Sequence, residues 1–346
     1  VSSPASSFTQ DEVLSLLGLA EDPFATAIFD RCGVRRRHLE LTPELLDTTL
    51  QGRTSSSEDQ LFRLATEAID SLALDPADIG VVVTATYYSL GGPTLGHRIV
   101  DHYGLDPGTD KYHLVGVGCA SAVPLFRLAA SCLRDRPERN ALVVAAESIT
   151  GFLTAVEPGD EKTKVVGSAL FGDGCAAALL EHGGDSGGPE ILGYAVHQVA
   201  GTLDHVRFAV TGADSHMRLS RELPAVTEAA ARPLVESFLS DHGLELGDIH
   251  HWLVHPGGRG IIEAVQRGLA LSDEHVAASF AVLGEFGNVG TPASMFVLRE
   301  TIERRRPGVG DYALMVTVGP GVTVGLMLLR WPTPNIHETQ EVIPCR

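Results

Sequence analysis

Leu74-Asp75-Pro76-Ala77-Asp78-Ile79-Gly80-Val81-Val82-Val83-Thr84 is the stretch on which the fold turns. Asp75-Pro76 marks a turn. The largely β-branched run after it lacks polar alternation, the pattern of a strand covered on both faces. Upstream, Leu61, Leu64, Ala65, Ala68, Ile69 and Leu72 recur at the spacing of one helix face. The same order returns 170 residues later (Ile79 to Ile249), where Leu244-Glu245-Leu246-Gly247-Asp248-Ile249 leads into the apolar strand Trp252-Leu253-Val254. Further strands are expected at 114–117, 141–145 and 174–179. Ala141-Leu142-Val143-Val144 falls opposite Ala313-Leu314-Met315-Val316, and Cys119 falls opposite the Asn288 region. Strands alternating with helices twice over predict two similar α/β halves, each a largely parallel sheet covered by helices. Gly183-Gly184-Asp185-Ser186-Gly187-Gly188-Pro189 reads as the exposed connection between them, giving halves of residues 1–186 and 187–346.

With 44% hydrophobic and 20% charged residues over 346 positions, the chain is long enough for a sizeable core, and no apolar run reaches the length of a membrane span. Acidic residues outnumber basic ones, 44 to 26, so a net charge of -18 repels nucleic acid. Any anionic ligand needs a local basic patch. Cys32, Cys119, Cys132, Cys175 and Cys345 show no CxxC spacing, which argues against a structural zinc site and for a reducing, cytoplasmic setting. No secretory signal is visible in the opening residues.

Cys119 follows Gly116-Val117-Gly118 and precedes Leu125, Leu128, Ala129, Cys132 and Leu133 at helical spacing, so it is expected at a helix N-terminus, with Pro124 in the first turn. There the helix dipole would favour thiolate over thiol, and a backbone N–H would steady an oxyanion. Cys132 and Cys175 read as core residues. His255 ends its strand ahead of Pro256-Gly257-Gly258, and Asn288 lies in Glu285-Phe286-Gly287-Asn288-Val289-Gly290. Taken singly, each is more often a structural residue. Together they supply a decarboxylative condensation: a thiolate takes up an acyl group from a thioester, and two donors hold the carbonyl oxygen of a second thioester as it loses carbon dioxide. The imidazole should be neutral, so that it donates a hydrogen bond without quenching the carbanion.

Several ordered blocks extend this reading. Gly118-Cys119, Val166-Gly167-Ser168-Ala169-Leu170-Phe171-Gly172-Asp173-Gly174, His255-Pro256-Gly257-Gly258, Gly287-Asn288 and Gly319-Pro320-Gly321-Val322-Thr323 resemble the motifs of type III polyketide synthases, the chalcone and stilbene synthase family. The resemblance implies the thiolase fold, duplicated βαβαβ halves stacked as a five-layer αβαβα core. It implies a homodimer, acyl-CoA starters, malonyl-CoA extenders, no metal and no cofactor, with an acyl carrier protein as an alternative donor. It makes Cys119, His255 and Asn288 catalytic. Phe171 becomes a gate between a CoA tunnel and the cavity, Arg31 a CoA phosphate contact with Arg35, Arg36 and Arg37 extending its patch. Tyr87, Tyr88, Met217, Gly319 and Pro320 join the substrate-binding set.

Departures from the pattern cluster around the cavity. Tyr87-Tyr88 stands where relatives carry small residues, Gly92 where plant relatives extend a methionine, Thr317-Val318 where Gly-Phe is usual, and Ala120-Ser121 where glycine-rich residues follow the nucleophile. The chain also opens where relatives have completed a first strand, so a longer native N-terminus is expected. A ketoacyl-ACP synthase III-like enzyme would use the same three residue types, but usually follows its histidine with Gln-Ala-Asn. A catalytically silent partner subunit or acyl-binding protein is opposed by retention of all three groups. A dinucleotide-binding protein is opposed by Gly116-Val117-Gly118-Cys119-Ala120-Ser121, which lacks the last glycine of that loop.

Overall fold

The apolar runs of the sequence form two four-stranded mixed sheets that stack through shared helices. The computed structural model describes residues 1–87, 91–153, 162–183, 187–211 and 214–332. An N-terminal hairpin-like pair, β1 (Ser7–Thr9) and β2 (Arg36–His38), brackets α1 (Gln10–Leu16) and α2 (Pro23–Arg31). After α3 (Pro43–Leu46) and the long α4 (Leu50–Asp70) come β3 (Ile79–Thr86), α5 (Leu95–His102), β4 (Asp110–Val115), α6 (Ala122–Asp135), β5 (Asn140–Glu147), α7 (Lys162–Leu170) and β6 (Gly174–Leu180). The rest comprises β7 (Glu190–Gln198), the hairpin β8 (Val206–Thr211) and β9 (Asp214–Leu219), α8 (Leu223–Ser240), β10 (Ile249–Val254), α9 (Arg259–Leu269), α10 (Asp273–Phe286), α11 (Ala293–Arg305), β11 (Tyr312–Gly319) and β12 (Thr323–Arg330).

The first sheet runs β4-β3-β5-β6 and the second β10-β11-β12-β7. Their pairings correspond. β3 lies parallel to β5 as β10 does to β11, and β5 lies antiparallel to β6 as β11 does to β12. Where β7 flanks β12, an antiparallel bridge from Ser2 to Cys175 flanks β6. Helices α6 and α11 lie between the sheets, α6 against β3, β5, β12 and β7, and α11 against β10, β11 and β6. Helices α4 and α5 cover the outer face of the first sheet, and α8, α9 and α10 pack with the second. This is the expected five-layer arrangement of duplicated halves.

Strand β3 shows why its sequence carries no polar alternation. Val81 and Val83 face the inner core with Leu125, Phe126 and Phe296, while Val82 faces α4 and α5 with Leu64, Ala68 and Ile99. Both faces are dry, so the strand is apolar up to the buried Thr84 and Thr86 near its end.

Two local expectations shift. The strand read at 114–117 is β4, which ends at Val115 because Gly116 turns to φ +80° and leaves the ladder. Arg37 is not part of a surface patch. In the three-residue strand β2 side chains alternate, so Arg36 faces out and Arg37 turns inward, where it is fully buried.

Candidate active site

Cys119 sits in a 3-10 turn, Gly118–Ala120, that leads into α6, not in the first turn of the α-helix itself. Gly118 takes φ +61°, and a Cβ there would lie 2.6 Å from the Tyr87 ring, so only glycine lets the turn pass beneath that ring. On the other side a Cβ on Gly319 would lie 2.7 Å from both the Cβ and the amide nitrogen of Ala120. The end of β11 therefore presses on the nucleophile turn, which ties the Gly319-Pro320-Gly321 block to the cysteine.

The second half delivers the other two groups. His255 follows β10 directly, and its amide donates to the Val316 carbonyl at 2.9 Å, which holds the residue against β11. Asn288 precedes α11. The Gly290 amide donates to Asn288 Oδ1 at 2.9 Å, which fixes the side-chain orientation and sets the amide against Cys119 Sγ, with Nδ2 at 3.8 Å and Oδ1 at 3.9 Å. Asn288 is also bridged to the segment around Phe171. Its amide donates to the Leu170 carbonyl at 2.8 Å, and its carbonyl accepts from Gly172 at 3.2 Å, on either side of Phe171.

A cavity of about 330 Å³ reaches from the surface to these groups. Cys119, His255, Asn288, Phe171, Tyr87, Met217, Gly319 and Pro320 all line it, and Arg31 stands on its wall as the last residue of α2. The sequence-predicted site residues thus converge on one space, except Tyr88, which lies outside the described residues. Beyond Cys119 is a smaller chamber of about 60 Å³, and Tyr87, Cys119, Phe171 and Met217 border both spaces.

Burial governs the electrostatics. It lowers the His255 pKa to about 3, so the imidazole is neutral as anticipated, and its Nδ1 makes no hydrogen bond among the described residues. Desolvation works against the expected thiolate. Burial, reinforced by the nearby Glu147 carboxyl, pushes the Cys119 thiol up to about 12. The Asn288 contact and the local backbone act in the opposite direction, but desolvation wins.

Glu147 went unnoticed in the sequence. It closes β5 after an unbroken apolar run and is fully buried, and desolvation raises its pKa to about 7. Its Oε1 accepts from the Tyr87 amide at 2.7 Å, and its Oε2 accepts from the Thr291 amide at 3.2 Å and hydroxyl at 2.6 Å. One carboxyl thereby joins the end of β3 to the loop that carries Asn288. A carboxylate closing the apolar run from Ala141 to Ala146 was the available signal. Also missed were Lys164, Phe152 and Phe208 on the inner chamber, and Arg221 and Arg259 on the wall of the larger cavity.

The block around Phe171 is anchored from below. Asp173 accepts from the Thr150 amide at 2.8 Å and from Gln60 at 2.7 Å. Arg37 donates to the carbonyls of Ser168 and Phe171 at 2.5 and 3.1 Å, and burial lowers its pKa to about 10. Among the described residues no group of three or more His, Cys, Asp or Glu is placed to hold a metal ion, and no helix is long and apolar enough to cross a membrane.

Residues 17–201 match the family model described as FAE1/Type III polyketide synthase-like protein, and residues 192–332 match chalcone and stilbene synthases, C-terminal domain. The 3,5-dihydroxyphenylacetyl-CoA synthase of Amycolatopsis balhimycina is 30% identical over 94% of this chain and 90% of its own length. The 1,3,6,8-tetrahydroxynaphthalene synthase of Streptomyces coelicolor is 25% identical over 98% of this chain and 92% of its own. Among solved structures, PKS-I from the brown alga Ectocarpus siliculosus superposes with a TM-score of 0.86 at 27% identity, covering 95% of this chain and 96% of that one. The S. coelicolor synthase superposes equally well, with a TM-score of 0.86 over 96% and 97% of the two chains. These matches favour repeated condensation over the ketoacyl-ACP synthase III-like alternative.

Proposed function

This chain belongs to the type III polyketide synthase family, decarboxylating acyltransferases that condense thioesters, and on that premise we propose the roles of its residues. Cys119 accepts the starter acyl group from an acyl-CoA. As the Cys119 sulfur attacks the thioester carbonyl, its proton passes by way of the neutral His255 imidazole, on the wall of the same cavity, to the departing CoA sulfur, so that no imidazolium accumulates and CoA leaves as its thiol. Malonyl-CoA then enters the larger cavity. Asn288 Nδ2 and His255 donate to its thioester oxygen, carbon dioxide departs, and the enolate attacks the acyl carbonyl on Cys119. The carbon–carbon bond forms as the Cys119–acyl bond breaks, and the lengthened chain reloads for the next round.

The observation that carries this reading is the Asn288 amide. The Gly290 amide holds Oδ1, and from the opposite half of the molecule the side-chain amide meets Cys119 Sγ with Nδ2 at 3.8 Å and Oδ1 at 3.9 Å. Phe171 and Met217 border the passage between the two spaces and act as its gate, and Arg31 meets the CoA phosphates at the surface. Gly319 and Pro320 shape the wall beside the nucleophile. We divide the chain into units of residues 1–186 and 187–346, supported by the first sheet ending at Leu180 and the second beginning at Glu190. We also place the enzyme in the cytoplasm as a homodimer that takes CoA thioesters without a cofactor. Four free cysteines among the described residues support a reducing compartment.

The test is intact-protein mass spectrometry after incubation with a panel of acyl-CoAs, followed by product analysis with malonyl-CoA. The wild type should gain the mass of the acyl group and Cys119→Ala should not. A gain that persists in the variant would remove Cys119 from its role. Failure of every acyl-CoA alongside successful loading from an acyl carrier protein would replace the CoA donor.

A further inference from the structure

The inner chamber is walled by a chain of aromatic rings. The Tyr87 and Phe208 rings meet edge to face with centroids 5.3 Å apart, and Phe208 meets Phe152 in the same way at 5.3 Å. All three line the chamber, together with Phe171 and Met217. Tyr87 is held in place at several points. Its hydroxyl bonds to the Phe208 backbone, its amide donates to Glu147, and its ring lies over the Gly118-Cys119 turn. The ring nearest the nucleophile is thus tethered to the next one in the wall. Edge-to-face contacts of this kind add attraction beyond burial, so the wall resists displacement.

The space this wall leaves is about 60 Å³. An apolar protein cavity of roughly 150 Å³ is what takes up a benzene ring. An aryl group cannot enter the chamber as it stands, nor can a medium-length alkyl chain. We propose that Tyr87 and Phe208 together set the starter class of this enzyme to short aliphatic acyl thioesters, by closing the chamber beyond Cys119 to aryl and longer alkyl groups. The inference rests on Cys119 being the acylated residue. The acyl carbonyl must sit where Asn288 Nδ2 and His255 can reach it, so the rest of the acyl group has two directions open to it. One leads back into the larger cavity, which the pantetheine arm of the incoming thioester occupies. The other leads into the chamber, which takes only a few heavy atoms. A short acyl group fits. A long or aromatic one must displace a tethered ring or contest the extender's path.

The experiment measures kcat/KM for Cys119 acylation with acetyl-, butyryl-, benzoyl- and octanoyl-CoA, for the wild type, Tyr87→Ala, Phe208→Ala and the conservative Phe208→Leu. The wild type should prefer acetyl- and butyryl-CoA over benzoyl- and octanoyl-CoA by about tenfold or more, within the range a hydrophobic pocket achieves for small changes in size. Each alanine variant should shrink that ratio by about tenfold, while Phe208→Leu, which keeps most of the volume, should hold it. Working with a ratio separates specificity from any general loss of folded enzyme. Equal acylation of the wild type by acetyl- and octanoyl- or benzoyl-CoA overturns the proposal. So does an unchanged ratio in both alanine variants, or a Phe208→Leu ratio that collapses like that of alanine. Loss of all acylation, in the wild type and with every thioester, would instead overturn the role of Cys119.

Discussion

The two halves of the molecule place residues at the same stations and put different chemistry on them. The residue following β3 is Tyr87, and the residue following its counterpart β10 is His255. The turn before α6 carries Cys119, and the turn before α11 carries Asn288. Strand β5 ends in Glu147 and β11 ends in Gly319. All six residues line the two adjoining spaces. The N-terminal half thus contributes a cysteine thiol, an aromatic wall and a buried carboxyl, whereas the C-terminal half contributes a neutral imidazole, a side-chain amide and a glycine that allows close approach. Two similar sheets create paired positions, and function comes from making each pair unlike.

Breaking the comparison at its strongest point gives the largest expected effect. If the C-terminal half stabilises developing negative charge, Asn288→Ala should lower malonyl-CoA decarboxylation by about 10²–10³-fold, as loss of one oxyanion donor does elsewhere. Loading of Cys119 by acyl-CoA should fall far less. Carbon dioxide release and single-turnover acylation, measured side by side, check this. Equal losses in both steps would mean that Asn288 positions the cysteine and does not act on the extender.

The unlike carboxyl offers a sharper test of smaller size. Because Cys119 titrates near 12, its thiolate fraction grows about tenfold per pH unit throughout the range below that value. Iodoacetamide labelling of Cys119 should therefore climb from pH 8 to pH 10 without a plateau. Glu147 titrates near 7 and is mostly ionised at pH 8, where its charge opposes the thiolate. Glu147→Gln should accordingly speed labelling at pH 8 by several-fold. A plateau with a midpoint below pH 8, or slower labelling in the variant, would contradict the buried-thiol picture.

The smallest effect is expected at the surface. Arg31 is exposed at the end of α2, where a charge–phosphate contact is weak and screened by salt. Arg31→Ala should raise KM for acyl-CoA by a few-fold at low ionic strength, with the difference fading as salt is added. A change in kcat at constant KM would place Arg31 outside the CoA path.

What was legible in the sequence follows from the same physics. The strands were readable because sheets covered on both faces favour apolar runs over polar alternation, as Val81, Val82 and Val83 illustrate. Cys119, His255 and Asn288 were readable because glycine-flanked strand ends and helix starts expose what they carry. The protonation state of Cys119 was not, since local position argued for a thiolate and the deciding term was burial by distant parts of the chain. Arg37 hid within a run of three arginines, because a strand of three residues is too short for its alternation to stand out. Phe208 lies on the β8–β9 hairpin, remote in sequence from the cysteine whose chamber it closes, and only the folded chain brings its ring to Tyr87.

One junction bears on how such an enzyme diversifies. Arg37 holds the carbonyls of Ser168 and Phe171, and the segment it holds is hydrogen-bonded on both sides of Phe171 to Asn288. Remodelling that segment would disturb the catalytic amide along with the product it shapes. Phe208, on a separate hairpin, reaches the Cys119 turn by way of the Tyr87 ring. Evolutionary drift in product range therefore has an easier route through the hairpin than through the gate, and a mutagenesis library for new products belongs there first.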